Sequence, residues 1–230
     1  MDARSTRERI VEAAVELLAK GGREAVSTRA VSAAAGVQAP TIYRLFGDKQ
    51  GLLDAVASHG IAEYLHSKTT RERDPDPVDD LRRGWDLHVG FGLEHPALYA
   101  LVFGEVRPGA ESPAQRRSAA VLAGMIRRVA EAGRLRVGEE RAANLVHSTG
   151  RGVTLTLIGM PPEQRDPGLS GFARESVIAA ITTDGPAGDG AGSVPAAVTL
   201  RAQLDDLAPL TDAERGLLRE WLDRVAAAGA

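Results

Sequence analysis

Short polar side chains with helical spacing occur between residues 38 and 44, and their types suit contacts with nucleic acid. Gln38, Thr41 and Arg44 are three residues apart, so a helix would place them along one face. An α-helix fits the major groove of DNA, where polar side chains near its N-terminus reach base edges. We therefore expect Gln38 and Arg44 to contact bases or phosphates, and Thr41 and Ala39 to contact bases or a thymine methyl group.

Two short helices joined by a glycine turn must position these side chains. The first helix is predicted to begin at Ser27 or Thr28, whose hydroxyls can accept from unpaired backbone N–H groups, and to end at Gly36. After a three-residue connection the second helix begins, and Pro40 suits its first turn because no donor is needed there. The pattern predicts a helix-turn-helix at residues 28–46. Small and apolar residues are available to pack between its helices: Val31, Ser32, Ala35, Val37, Ile42 and Leu45.

An amphipathic helix precedes this motif. Ser5 followed by Glu8 forms a possible capping box, and Gly21-Gly22 supplies a stop. One stripe of this helix is apolar and consists of Ile10, Val11, Ala14, Leu17 and Leu18. The three predicted helices together form a small N-terminal domain over residues 1–48.

Each polar residue of the motif has a simpler explanation, namely a solvated face on a helical hairpin. The complete set at this spacing favours DNA, and Tyr43 and Lys49 add groups suited to phosphate contacts. The net charge of −3 is unusual for a protein that binds nucleic acid. However, residues 1–50 hold 8 Lys or Arg against 6 Asp or Glu, whereas the other 180 hold 20 against 25. The basic end of the chain is therefore the end that carries the motif.

The motif resembles the DNA-binding domain of the TetR family of bacterial repressors. The resemblance rests on Ser27–Val31, Ala35–Val37 and Pro40–Lys49, and it extends through residues 52–56 to cover about the first 60 residues. Two departures are Val31-Ser32, where the family often has Ile or Leu followed by Ala, and Gln38, where Ser is frequent. The resemblance implies DNA contacts at Thr28, Arg29, Gln38, Ala39, Pro40, Thr41, Tyr43 and Lys49, with Arg44 as an addition.

The remainder of the chain, residues 49–230, reads as a larger helical body, so the fold class is predicted to be all-α. Helical patterns occur at 50–68, 77–94, 96–105, 113–133, 138–160 and 170–183. A turn is predicted at 107–109, and residues 184–195 read as a flexible loop because they are rich in Gly and Pro. A last helical pair follows, with a capping box at Thr211 and Glu214 and an apolar stripe that docks on the same subunit or joins a dimer contact. This stripe consists of Leu217, Leu218, Trp221, Leu222 and Val225.

The resemblance also implies a homodimer, a pseudo-palindromic double-stranded DNA operator and a small-molecule effector bound in the helical body. The helices near 138–160 and 170–183 would form the dimer contact. Bulky side chains are the candidates for an effector pocket, although aromatic residues at helical spacing more often belong to a core. They are Trp85, His88, Phe91, Tyr99, Phe103, Met125, His147 and Arg151.

Other classes of function fit less well. We find no HExxH, GxSxG or GxxxxGK[ST] motif and no pair of histidines at i, i+4, so neither an enzyme, a metal site nor a cofactor is predicted. The chain contains no cysteine, and it lacks an apolar stretch of membrane-spanning or signal-peptide type. We expect a cytoplasmic protein. A DNA-binding protein without an effector is the main alternative, and an enzyme with an unrecognised site is a weaker one.

Overall fold

The computed structural model describes residues 5–70, 72–105, 109–185, 192–207 and 209–228. Within these ranges the chain is helical, with a single isolated bridge between Leu135 and Thr182, which confirms the predicted all-α class. The helices are α1 (Thr6–Ala25), α2 (Thr28–Ala35), α3 (Ala39–Phe46), α4 (Lys49–Gly60), α5 (Ala62–Thr70), α6 (Pro77–Glu94), α7 (Pro96–Tyr99), α8 (Pro113–Glu131), α9 (Glu139–Gly159), α10 (Leu169–Ile181), α11 (Ser193–Gln203) and α12 (Asp212–Ala228).

The described residues form two compact units. The first contains those of 1–71, 90–118 and 157–159, and the second contains those of 72–89, 119–156 and 160–230. The predicted boundary after residue 48 falls inside the first unit. None of the helices in the described ranges is long and apolar enough to cross a membrane.

The capping box predicted at the start of α1 is present. The Ser5 N–H donates to Glu8 at 2.8 Å, and the Glu8 N–H donates to the Ser5 hydroxyl at 3.2 Å. Gly21 and Gly22 interrupt the helix as predicted, since both have non-helical backbone angles and Gly22 has φ +65°. One further helical turn follows this kink and ends at Ala25. The kink thus separates the long part of α1 from the approach to α2.

A single apolar core joins α1, α2, α3 and the start of α4. Its central members are at most 2% exposed: Ile10, Ala14, Leu18, Val26, Val31, Ile42, Leu52, Leu53 and Val56. Burial of each Ile, Leu or Val side chain of this set contributes about 1.5–3 kcal/mol. Because α4 shares this core, the three-helix motif and α4 pack as one body.

The junction between α3 and α4 is very short and tightly packed. Asp48 caps α4 by accepting from the Gly51 N–H at 2.7 Å. A β-carbon placed on Gly51 would lie 2.0 Å from the carbonyl oxygen of Phe46, the last residue of α3. Only glycine leaves room for this backbone approach, so Gly51 sets the distance between the end of α3 and the start of α4.

Several helices of the structure differ from the predicted ones in where they end or in whether they are continuous. The segment predicted as one helix over 50–68 is two helices, because α4 ends at Gly60 and α5 begins at Ala62, after the single residue Ile61. The segment 96–105 begins as α7 and continues as a π-helical turn over Ala100–Gly104. The helices predicted at 77–94, 113–133, 138–160 and 170–183 are found as α6, α8, α9 and α10.

The predicted flexible loop and turn are only partly described. Of the loop at 184–195, residues 186–191 lie outside the described residues, and the loop prediction is wrong at its end because α11 begins at Ser193. Pro195 stands in the first turn of α11, where its missing N–H removes no helical hydrogen bond. Of the turn at 107–109, only Gly109 is described, and it has φ +71°.

Polar contacts tie the helices of the second unit together. Asp80 on α6 is buried and accepts from Arg128 on α8 at 2.5 Å. Arg134 donates to both oxygens of Asp76 at 2.6 and 2.7 Å and to the Thr183 carbonyl at 3.1 Å. The capping box at Thr211 and Glu214 is confirmed, and hydrogen bonds from the Thr211 N–H and hydroxyl lower the pKa of the Glu214 carboxyl.

Replacing Gly51 by alanine tests the junction. We expect Gly51→Ala to lower the free energy of unfolding by about 1–3 kcal/mol, because the added methyl group collides with backbone rather than with a flexible side chain. Gly124→Ala is the matched control, since Gly124 lies in α8 with nothing near its missing β-carbon. That change should raise stability by about 0.5–1 kcal/mol. Urea unfolding measures the free energy of unfolding of both variants. Equal effects of the two substitutions would contradict the close approach of Gly51 to the Phe46 carbonyl.

Candidate nucleic-acid interface

The turn between α2 and α3 is formed by local interactions that the sequence prescribes. Ser27 caps α2, its hydroxyl accepting from the Ala30 N–H at 3.1 Å. Gly36 ends α2 with φ +64° and ψ +39°, a left-handed conformation that glycine adopts without steric cost. The Val37 N–H then donates to the Ser32 carbonyl at 3.0 Å. The chain thus turns directly from α2 into α3.

One face of α3 is fixed in the core. Ile42 is completely buried, and Leu45 and Phe46 pack against the same core from partly buried positions. The Arg7 guanidinium of α1 lies over the Phe46 ring, 5.0 Å from its centroid, an arrangement that attracts a cation to an aromatic face. Apolar packing and this contact hold α3 in one orientation.

The opposite face of α3 is accessible. Gln38, Pro40, Tyr43 and Arg44 are exposed, with Tyr43 51% exposed, while Ala39 and Thr41 are partly buried. Outside α3, Arg29 and Lys49 are exposed and Thr28 is partly buried. The structure therefore brings the nine predicted DNA contacts to α3 and to the helix starts on either side of it.

The polar side chains of this face are available for an external partner. Within the described ranges, no hydrogen bond or ion pair engages the side chain of Gln38, Thr41, Tyr43, Arg44 or Lys49. Gln38 occupies the N-cap of α3, but its side chain makes no capping hydrogen bond. Its amide is therefore free to reach outward.

Electrostatics favour an anion at this surface. The N-terminus of a helix carries a partial positive charge, and its first N–H groups lack partners within the helix. The exposed face adds the cations Arg29, Arg44 and Lys49. The nearest carboxylate in sequence, Asp48, has an oxygen engaged by the Gly51 N–H. Cations and a helix terminus together suit the phosphates of a DNA backbone.

Sequence reasoning missed the supporting residues behind this face. Arg7 contacts Phe46, and Arg23 donates to Gln50 at 3.5 Å, which in turn donates to Asp54 at 2.9 Å. Arg23 also forms an ion pair with Glu105. Apart from Gln50 and Asp54, which both belong to α4, the members of each pair are between 27 and 82 residues apart. No local sequence pattern therefore marks them.

The predicted effector residues of the first unit form an aromatic cluster. Phe91, Tyr99 and Phe103 are buried, with ring centroids 6.4 Å apart for Phe91 and Tyr99 and 4.8 Å apart for Tyr99 and Phe103. Tyr64, which we did not predict, stacks on Phe91 at 4.4 Å. Burial, followed by the proximity of Tyr99, raises the pKa of the Tyr64 hydroxyl far above its usual value. In this arrangement the cluster is a packed core.

The predicted effector residues of the second unit lie in varied surroundings. Trp85 is buried and donates from its indole N–H to the Ser170 hydroxyl at 3.0 Å, and both Trp85 and His88 lie beside Gly150. The Met125 side chain fills the space next to Gly84. The two polar candidates on α9 differ in solvent exposure: His147 is exposed, and Arg151 is partly buried.

A cavity of about 540 Å³ lies in the second unit. None of the predicted effector residues lines it. Its wall is largely charged and consists of Arg127, Gly138, Glu139, Glu140, Arg141, Val198, Arg201, Asp223, Ala226 and Ala227. Burial raises the pKa of Glu139, against the opposing effect of Arg127 and Arg201. No group of His, Asp or Glu with metal-binding geometry occurs among the described residues.

A glycine turn between two short helices, with an accessible polar face on the second, defines a helix-turn-helix domain. Residues 10–56 match the family model for bacterial regulatory proteins of the tetR family. An uncharacterized HTH-type transcriptional regulator from Bacillus subtilis (strain 168), YvkB, is 34% identical over 87 residues, which are 38% of this chain and 42% of that protein. The match thus spans less than half the length of the curated relative.

Solved structures share the fold beyond this domain. The repressor of the Stenotrophomonas maltophilia multidrug efflux pump SmeDEF, SmeT, has a TM-score of 0.59 and 23% identity over 80% of this chain and 94% of its own. An Acinetobacter baumannii TetR variant in complex with minocycline has a TM-score of 0.57 and 22% identity over 74% of this chain and 93% of its own. Residues 10–56 therefore form a DNA-binding domain of the tetR-family type, and the chain as a whole shares the fold of these solved structures.

Ser32 gives a direct test of the packing between α2 and α3. Its side chain is 9% exposed, and its hydroxyl has no hydrogen-bond partner in the described structure. We expect Ser32→Ala to raise the free energy of unfolding by about 1 kcal/mol, because it removes a buried polar group without a partner. Urea unfolding with Ser27→Ala as the control should show the opposite sign, since that variant loses the cap of α2. A less stable Ser32→Ala protein would mean that the hydroxyl has a partner.

Proposed function

We propose that the chain is a homodimeric repressor that binds a pseudo-palindromic operator and leaves it when a small molecule binds. The observation that carries this proposal is the face of Gln38, Thr41, Tyr43 and Arg44 on α3. The opposite face of α3 packs into the core through Ile42, and the side chains of the outward face lack partners in the described structure. Gln and Arg in this position suit base edges, and Tyr43 and Lys49 suit phosphates on either side. The chain reads DNA through α3.

A dimer is expected because one short helix reads few base pairs. Two copies related by a twofold axis place their recognition helices about 34–36 Å apart, one turn of DNA. The helices α9 and α10 are the proposed contact, and each exposes a large apolar residue: Leu145 is 38% exposed and Phe172 is 78% exposed. Burial of such residues favours association in water.

The exposed face of α9 supports a close approach of a second helix. Ser148, Gly152 and Thr156 are exposed on it, and a β-carbon on Gly152 would meet nothing within 4 Å in the described structure. A glycine at this position leaves the backbone of α9 accessible, which permits a partner helix to pack closely.

Release by a small molecule is supported by fold likeness and by the short junction after α3. One solved protein of this fold is described as an efflux-pump repressor and another as a complex with minocycline. Because α4 meets the end of α3 without slack, a displacement of α4 moves the recognition helix with it. An effector must therefore bind the protein more tightly when α4 is in one position than when it is in the other. By linkage, operator DNA then weakens effector binding by the same factor by which the effector weakens operator binding.

Footprinting on DNA that flanks the gene tests the DNA-reading face. We expect Arg44→Ala and Tyr43→Ala each to weaken protection, with Arg44→Ala costing about 1–3 kcal/mol, because a side chain in contact with bases or phosphates is lost. Both residues are exposed, so the melting temperature should stay close to that of the parent protein.

Lys20→Ala is the matched control for this experiment. Lys20 is an exposed cation on α1, paired only at 3.8 Å with Glu16, and it lies outside the proposed face. Its removal should leave protection unchanged. If both α3 variants protect DNA as well as the parent protein does, α3 is not the reading helix.

Phe172→Glu tests the proposed dimer contact. A charge at this exposed apolar position opposes burial, so we expect the dimer to dissociate at protein concentrations where the parent protein remains paired, and operator affinity to fall with it. Sedimentation velocity measures the association, and Leu87→Glu, at a 37% exposed position of α6, is the control. Unchanged association of Phe172→Glu would exclude α10 from the contact.

A further inference from the structure

The last helix, α12, carries an apolar stripe that the described residues leave about half exposed. Leu217, Trp221 and Val225 are spaced four residues apart and are 47%, 52% and 38% exposed. They therefore follow one face of the helix over two turns. Trp is costly to leave in water and is enriched where protein surfaces meet.

Contacts on the other side of α12 prevent this stripe from turning inward. Leu222 is buried, and Arg219 donates to Asp205 at 2.6 Å. Asp223 accepts from Arg201 of α11 at 2.9 Å. Arg215 adds hydrogen bonds to two backbone carbonyls, of Asp205 and Leu207. Because these residues anchor one face of α12, the Trp221 face remains directed away from α11.

The arrangement of the stripe is symmetric about Trp221. If two copies of α12 pack in antiparallel orientation with Trp221 at the twofold axis, Leu217 of each copy faces Val225 of the other. Glu220 and Arg224 flank the stripe on the same side and form an ion pair at 3.3 Å within the chain. In the antiparallel pair, Arg224 of one copy lies about 3 Å along the axis from Glu220 of the other.

A parallel pair lacks this charge match. It places the flank that carries Glu220 and Arg224 against the opposite flank of the second helix, where Leu218 stands. The apolar stripe accepts either direction. The antiparallel pair also places the two Glu220 residues about 3 Å apart along the axis, but its two contacts between Arg224 and Glu220 outnumber this one repulsion. Charge complementarity thus favours a second copy of α12 as the occupant, in the antiparallel direction.

We propose that α12 forms a self-complementary contact between two copies of this chain, antiparallel and centred on Trp221. One helix pair buries less than the roughly 1,200 Å² of a stable interface, so the contact is weak when it acts alone. It is separate from the contact proposed for α9 and α10 and does not depend on DNA binding.

Disulfide trapping suits this contact because it captures weak association and because the chain contains no cysteine. A disulfide needs two Cα atoms within about 7 Å. In the antiparallel pair the two residues at position 221 meet, whereas the two residues at position 217 are about 12 Å apart along the axis. In a parallel pair, both positions meet their own copies.

We therefore expect mild oxidation to link Trp221→Cys into covalent dimers, measured by non-reducing electrophoresis over time. Its rate should exceed those of Leu217→Cys and of the distant exposed control Lys20→Cys by roughly tenfold, since only position 221 meets the distance requirement. A double variant, Leu217→Cys with Val225→Cys, should also cross-link rapidly. A rate for Trp221→Cys no greater than that of Lys20→Cys overturns the proposal, and so does an equally fast Leu217→Cys.

Charge exchange provides a second measurement at positions whose side chains are about two-thirds exposed, so the fold tolerates the changes. In the Trp221→Cys protein, Arg224→Glu should slow cross-linking because it places two carboxylates together across the contact. Adding Glu220→Arg should restore the rate. If Arg224→Glu leaves the rate unchanged, the antiparallel contact is wrong. Footprinting is unaffected by either outcome, so this inference and the DNA-binding proposal fail separately.

Discussion

Backbone contact between the end of α3 and the start of α4 is the constraint on which the arrangement of this protein depends. Gly51 leaves space for the Phe46 carbonyl, and Asp48 closes the gap with a hydrogen bond to the same residue. The first unit therefore contains no slack between the helix that faces outward and the helix that leads to the rest of the chain. The position of α3 is therefore tied to that of α4 by backbone contact and by the Asp48 cap.

Local chemistry made much of this structure predictable. The caps at Ser5, Ser27 and Thr211, and the turn at Gly36, depend on residues at most five positions apart, and all are present. The break between α4 and α5 was not predicted, because Ile61 is buried and apolar like the other core positions of this segment. Periodicity records which face is buried, and it does not record where a single residue interrupts a helix.

Long-range contacts escaped prediction for a different reason. Arg7 and Phe46, Arg23 and Gln50, and Tyr64 and Phe91 are brought together by tertiary packing, and no spacing rule relates them. The aromatic residues proposed as an effector pocket illustrate the same limit. Their types suit a binding site or a core equally well, and the distances among Phe91, Tyr99 and Phe103 are those of packed rings.

The Gln38 side-chain amide is not used to cap α3, which affects how readily this residue can be exchanged. Residue 38 stands at the N-cap of α3 but contributes no capping bond, so the helix does not depend on it for stability. A serine there could cap the helix, yet its shorter side chain would reach less far from the backbone. Stability and reach are thus opposed at one position, and Gln38 favours reach. Under the proposed DNA-reading role, exchange at this residue changes specificity while the fold that carries it stays intact.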